Sequence, residues 1–379
     1  MRNDERPAVL NAFARGACTV AACAALTLLG ACASHPAPSA STGAATQQAQ
    51  TWQRVHLSHN GVQYDFPVYA NHPLDGDLSG IEQIVIVQHG IDRDADVYFA
   101  SASSTLQAAH ADPNKVLLVA PEFAAPQDSA KGFGGDLPVW KAGGATNWAE
   151  GAESVDALHV SSMQVYDDLI TQLTDRSRLP ALKRLIVAGH SAGAQFVQRY
   201  AALNNLDDNL RAAGVDVHYV VANPSSYLYF TDERPNGNAF SVPTHASCAG
   251  YDDYRYGMQN IVAYGAGHDA ADLYRRYAAR KVTYLLGTAD DDPHHRDLDR
   301  TCGAEAEGRT RLERGRLYLR YERYLTDQLG GGKLALNHDA YEVVEVGHHS
   351  SLMFASRCGS QVLFGGTNIY GAECRAPQS

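Results

Sequence analysis

Four continuous apolar runs, at positions 84–87, 116–120, 185–188 and 282–286, are each followed by small or turn-forming residues. Short apolar runs without alternation read as strands covered on both faces, as in a parallel sheet. Residues 217–222 and 341–346 fit two more strands, the second more alternating and so expected nearer an edge. Helical stretches fall between them at 95–109, 157–173, 195–203 and 312–329. Strand and helix in alternation imply an α/β fold, a mostly parallel central sheet with helices on both faces. Ahead of it, Val55-His56-Leu57 and Val62-Gln63-Tyr64 flank Asn60-Gly61, a pair suited to a two-residue hairpin turn. Two insertions break the rhythm: one near 122–154, with Trp140 and Trp148, and one near 225–265, with Tyr227, Tyr229, Phe230, Tyr251, Tyr254 and Tyr256. Long irregular connections in a compact domain are usually functional or lid-like, so both are expected to wall a pocket.

The run 185–188 continues as Gly189-His190-Ser191-Ala192-Gly193 and then into a helical pattern through Val197 and Tyr200. A strand-to-helix turn this tight needs tiny flanking side chains, and it lifts the serine oxygen above the end of the sheet. A serine hydroxyl is a weak nucleophile near neutral pH, so it needs a base and a carboxylate that fixes the base in the useful tautomer. Both follow in the chain. The run 282–286 leads into Gly287-Thr288-Ala289-Asp290-Asp291-Asp292-Pro293, and the last strand leads into Gly347-His348-His349. Asp290, on the turn after its strand, is the expected acid, with Asp292 in reserve; His348 is preferred to His349 as the base.

A tetrahedral oxyanion requires two backbone N–H donors. Ala192, after the serine, supplies one, and Ile91 or Gly90 the other, in the Gln88-His89-Gly90-Ile91 segment that follows an early strand. His89 is then structural, packed beside that loop. The run of Asp and His from Asp290 to Asp299 invites a metal reading, but it matches neither an HExxH nor a calcium-loop spacing. No cofactor is expected.

Residues 1–31 have the character of a secretory leader. Arg2, Arg6 and Arg15 precede an apolar stretch at 17–29, too short for a permanent membrane span, and Leu29-Gly30-Ala31-Cys32 resembles a bacterial lipobox. That resemblance implies cleavage before Cys32 and its acylation, so the membrane is an expected partner through a lipid anchor. The protein would then be exported, facing the periplasm or outer membrane, or else simply secreted. Residues 32–51 are a Ser/Ala/Pro/Thr/Gln tether, and 52–379 the folded domain. The domain keeps four cysteines, Cys248, Cys302, Cys358 and Cys374, which suits two disulfides in an oxidising compartment. Three pairings are open; the expected one joins Cys358 to Cys374 across a short C-terminal loop and Cys248 to Cys302. A net charge of −11 without a clustered basic run argues against nucleic acid.

With these motifs in order, the span 55–366 resembles the α/β-hydrolase superfamily. The resemblance rests on His-Gly after an early strand, the Gly-His-Ser-Ala-Gly turn, Gly-x-x-Asp after the acid strand and Gly-His before the last helix. It implies a Ser-His-Asp enzyme that forms an acyl intermediate and releases it to water. Gly90 is followed by Ile91 and Asp92, which departs from the His-Gly-Gly-Gly loop of many lipases and esterases. The expected activity is hydrolysis of a small carboxylic ester, with acetylated-carbohydrate and feruloyl-type esters in play because the aromatic insertion could stack a ring. An amidase or peptidase using the same residues, and a non-catalytic binding module, are the alternatives.

Overall fold

The computed structural model describes residues 51–144, 146–244, 248–365 and 373–378. The leader, Cys32 and the tether up to residue 50 lie outside the described residues. The chain opens with strands β1 (Gln53–His59) and β2 (Val62–Ala70), joined through Asn60 at φ 50° and Gly61 at φ 81°. Both turn residues take the left-handed values that an Asn-Gly hairpin turn requires. Strands β3 (Gln83–Gln88), β4 (Val116–Pro121), β5 (Arg184–His190) and β6 (Asp216–Ala222) follow. A separate small hairpin comes next, β7 (Arg234–Asn236) with β8 (Ala239–Ser241), then β9 (Lys281–Gly287), β10 (His338–Val343) and β11 (Cys374–Arg375).

Among the described residues, nine strands form one sheet in the order β1-β2-β4-β3-β5-β6-β9-β10-β11. The six from β4 to β10 in that order pair in parallel, with antiparallel partners at both ends. The strand expected at 341–346 begins and ends three residues earlier, because Glu345 turns the chain at φ 61°. It lies next to the edge, with only the two-residue β11 beyond it.

Helices cover both faces: α1 (Ala95–Ala108), α2 (Ser162–Leu173), α3 (Ala192–Leu203), α4 (Asp207–Ala212), α5 (Ala270–Ala279), α6 (Cys302–Glu305), α7 (Arg311–Gly330), α8 (Ser350–Ala355) and α9 (Arg357–Phe364). Because successive strand residues point to opposite faces, each unbroken apolar run feeds two cores. Ile84 and Ile86, Leu117 and Val119, and Leu185 and Val187 meet α2, α3, α5 and α7. Val85 and Val87, Leu118 and Ala120, and Ile186 and Ala188 meet α1, α8 and α9. Two helix starts differ from expectation. Helix α2 begins at Ser162 rather than 157, since the Ser161 side chain accepts the N–H groups of Met163 and Gln164 and His159 sits at φ 49°. Helix α3 begins at Ala192, directly after the serine.

The aromatic residues of the insertions correct a further expectation. Trp140 and Trp148 are fully buried around Phe123. Tyr227 stacks on Tyr318 of α7, and Tyr229 packs against Tyr321. These rings extend the core instead of facing a cleft, so the residues available to line one are the small and polar ones between them. Cys248 pairs with Cys302 and Cys358 with Cys374. The first bridge, across a sequence separation of 54 residues, staples the second insertion to α6; closing a loop of this size contributes about 4 kcal/mol by restricting the unfolded chain.

Candidate active site

Ser191 sits between β5 and α3 with φ 59° and ψ −124°, a strained conformation for a side-chain-bearing residue. The strain is held from two sides. The Ser191 N–H donates to the Ala222 carbonyl at the end of β6 (3.0 Å), and the Ser191 carbonyl accepts from Gln195 in the first turn of α3 (3.1 Å). The flanking glycines are required by contact. A Cβ on Gly189 would lie 2.2 Å from the Gly193 carbonyl oxygen, and one on Gly193 would lie 2.4 Å from that of Gln88.

Asp290 and His348 arrive on the loops after β9 and β10, which are laced together. The Thr288 N–H donates to the Val343 carbonyl and the Ala289 N–H to that of Val346, both at 3.0 Å. A Cβ on Gly287 would meet the Val346 oxygen at 2.3 Å, so glycine is what lets the two loops touch. The His348 Nε2 lies 2.9 Å from the Ser191 Oγ, and its Nδ1 lies 2.7 Å from the Asp290 Oδ2. Asp291 and Asp292 are exposed, and Asp292 accepts the N–H of His294; His349 is exposed at the start of α8. Of the residues weighed in sequence, Ser191, His348 and Asp290 are the ones brought together.

The other Asp290 oxygen accepts from Nη1 of the buried Arg311 at 3.2 Å, and the Arg311 Nε donates to the Ser225 Oγ at 3.0 Å. Burial alone would raise the Asp290 carboxyl; the His348 hydrogen bond and the Arg311 charge outweigh it and hold the group below its usual range, hence ionised. Burial lowers His348, the hydrogen bond to Asp290 opposes this, and the positive Arg311 lowers it further, so the ring titrates below its ordinary value. The arrangement is a neutral imidazole aimed at a hydroxyl and oriented by an ionised carboxylate.

Gly90 and Ile91 border the serine from the end of β3, where Ile91 and Ser191 line the same space and a Cβ on Gly90 would lie 3.8 Å from the Ser191 Cβ. His89 is buried behind them: its Nδ1 donates to the Gly90 carbonyl (2.8 Å) and its Nε2 accepts the Phe123 N–H (3.0 Å). Burial lowers it to about 3, so it is a neutral strut for the loop, as expected. Ala192 opens α3, where the first N–H groups have no acceptor within the helix.

Two spaces flank Ser191 and share Ile91, Arg296 and Asp297 in their lining. One, of about 540 Å³, is bordered by Ala192, Gln195, Asn147, Glu150, Arg255 and the loop 296–301. The other, of about 360 Å³, is bordered by Gly90, Asp92, Asp94, Tyr98, His190 and His348. Both insertions therefore contribute to the cleft, through Asn147, Glu150, Ser225 and Arg255, without their aromatic rings. The run read as a possible metal loop is spent elsewhere, Asp290 on His348, Asp297 on Arg296 and Asp299 on Arg255. Sequence reasoning missed Arg311, which carries no local motif, and the loop 296–301. It also missed His190, whose ring lies 4.6 Å from that of His348.

No family model matches this sequence, and comparison with the curated proteins finds no match. Solved structures do match. A poly(aspartic acid) hydrolase-1 from Sphingomonas sp. KT-1 is 21% identical, with 83% of this chain and 99% of that one covered at a TM-score of 0.57. A poly(3-hydroxybutyrate) depolymerase from Bordetella parapertussis is 19% identical, with 83% and 90% covered at a TM-score of 0.57. At these identities the likeness is one of fold.

Proposed function

We propose that this chain, which has the α/β-hydrolase fold, is a serine hydrolase that cleaves a small carboxylic ester through an acyl intermediate. The observation that carries the reading is the continuous hydrogen-bonded line from Asp290 through His348 to Ser191, at 2.7 and 2.9 Å. His348 takes the Ser191 proton as Oγ attacks the ester carbon. The oxyanion that forms is held by the N–H of Ala192 and that of Ile91 or Gly90. His348 returns the proton to the departing alcohol, then activates water to free the acid, while Asp290 steadies the imidazolium. The same residues could serve an amide; esters ask less of them, because an alkoxide leaves more readily than an amine.

The proposed location is outside the cytoplasm, on a bacterial membrane through an acylated Cys32. The leader read in the sequence supports this, and the two disulfides suit an oxidising compartment.

A fluorophosphonate probe tests the chemistry, since it phosphonylates an activated serine far faster than an ordinary one. Covalent labelling of Ser191 is expected, and peptide mapping locates it. The labelling rate should climb with pH and level off once His348 is neutral, with a midpoint below 6.5 because burial and Arg311 disfavour the imidazolium. No label on Ser191, or a rate still climbing steeply above pH 7.5, defeats the proposal.

A further inference from the structure

The two spaces beside Ser191 differ in charge, and the direction of the proposed reaction tells them apart. The general acid must deliver its proton to the leaving atom, so the leaving group lies on the His348 side. That is the 360 Å³ chamber bordered by His348 and His349. The acyl part then occupies the 540 Å³ chamber beside Ala192 and Gln195. In the acyl chamber the charges balance: Glu150, Asp297 and Asp299 face Arg255, Arg296 and Arg300. Arg255 is already committed to Glu150 at 3.0 Å and to Asp299 at 2.5 Å.

The leaving-group chamber is not balanced. It holds Asp92, Asp94 and Asp297 against Arg296 alone, and Arg296 is bound to Asp297 at 3.0 Å. Neighbouring Arg93 turns away to Asp128 at 2.6 Å. Among the described residues neither Asp92 nor Asp94 has an ion-pair partner, and the Asp94 Oδ1 is buried with no hydrogen bond. The floor offers a second unsatisfied polar atom, the Nε2 of fully buried His190. Burial drives His190 well below its ordinary value, so it stays neutral and does not offset the carboxylates. Burial and the nearby charge of Asp92 push Asp94 up to about 6, against a smaller opposing effect of Lys131. Above pH 7 Asp94 is charged.

We infer that the leaving group this chamber accepts is an alcohol bearing a positive charge, such as an ammonium or quaternary ammonium. The inference rests on the serine-hydrolase reading. A cation placed there would relieve the repulsion between Asp92 and Asp94 and lie within reach of their fields in a partly desolvated space, where attraction exceeds that in water. The neutral His190 would complete its polar surroundings.

Two matched methylphosphonothioates test this, one with a 2-(trimethylammonio)ethanethiolate leaving group and one with its uncharged 3,3-dimethylbutanethiolate isostere. In each, a bond forms from the Ser191 Oγ to phosphorus, the P–S bond breaks, and the sulfur departs as thiol with the proton relayed by His348. The cationic reagent is expected to inactivate the protein at least about tenfold faster than the neutral one at low salt. That ratio, divided by the ratio of the two reagents' spontaneous hydrolysis rates, should fall toward one in the Asp92→Asn/Asp94→Asn variant, and also in unaltered protein at about 1 M salt, where the Debye length is only about 3 Å. The salt series and Asp92→Asn alone, at an exposed position, keep the test open if the double variant folds poorly. Equal rates for the two reagents in the unaltered protein, or a preference that ignores both salt and substitution, overturn the inference. Failure of a neutral fluorophosphonate to label Ser191 is a separate result; it removes the hydrolase reading, and this inference with it.

Discussion

Ser191→Ala should lower kcat for a short acyl ester by roughly 10⁴- to 10⁶-fold, and His348→Ala by a similar factor. The double variant should lose little more than either alone. The Ser191 hydroxyl and the His348 Nε2 share one proton at 2.9 Å, so removing either abolishes the same proton transfer. Asp290→Asn is the sharper probe. An amide there can present its NH₂ to His348 Nδ1, which favours the tautomer carrying its proton on Nε2, where it cannot accept from serine; a loss of about 10⁴-fold follows. The same change leaves the buried Arg311 guanidinium without its carboxylate, so Asp290→Asn should also lower stability, which Ser191→Ala should not. Steady-state turnover and thermal melts on the four variants separate these effects. Undiminished turnover in Ser191→Ala would sink the assignment of the nucleophile.

How much of this was legible in the sequence depends on whether the determinant is local. The turn at Ser191 was, because the close approach of Gly189 to Gly193 and of Gly193 to Gln88 admits only glycine, and that demand is written in five consecutive letters. Asp290 and His348 were legible because each sits on the turn that ends a recognisable apolar run. Arg311 was not. It lies 21 residues after Asp290, in the first turn of a helix, and nothing nearby marks it as the partner of that carboxylate. The insertions do wall the cleft, but their aromatic rings were misread, for a related reason. Tyr227 and Tyr229 are buried by Tyr318 and Tyr321, about 90 positions away, and composition cannot tell a ring covered by a distant helix from one lining a cleft. The disulfide pairing was legible in part because Cys358 and Cys374 are only 16 residues apart, which makes their closure local.

The site is also built into the core, and this gives the largest expected stability effect. Gly193→Ala should destabilise the fold by more than about 3 kcal/mol, above the usual cost of overpacking. The added Cβ would meet the Gln88 carbonyl oxygen at 2.4 Å and that of His89 at 2.5 Å. These are backbone atoms at the end of β3 and just beyond it, with no side chain free to swing aside, so α3 must move off the end of β3. That displacement carries the Ala192 N–H away from the Gly90–Ile91 loop and tilts Ser191 from His348, so activity should fall in whatever fraction remains folded. For a domain of this size the melting temperature should drop by at least about 4 °C. Gly80→Ala is the matched control: its nearest neighbour is the Asn114 carbonyl oxygen at 3.9 Å, ordinary contact, so its effect should stay within about 0.5 kcal/mol. Equal melting temperatures for the two variants would mean that β3 and α3 are not locked together through Gly193, and the strained serine would then need another source of support.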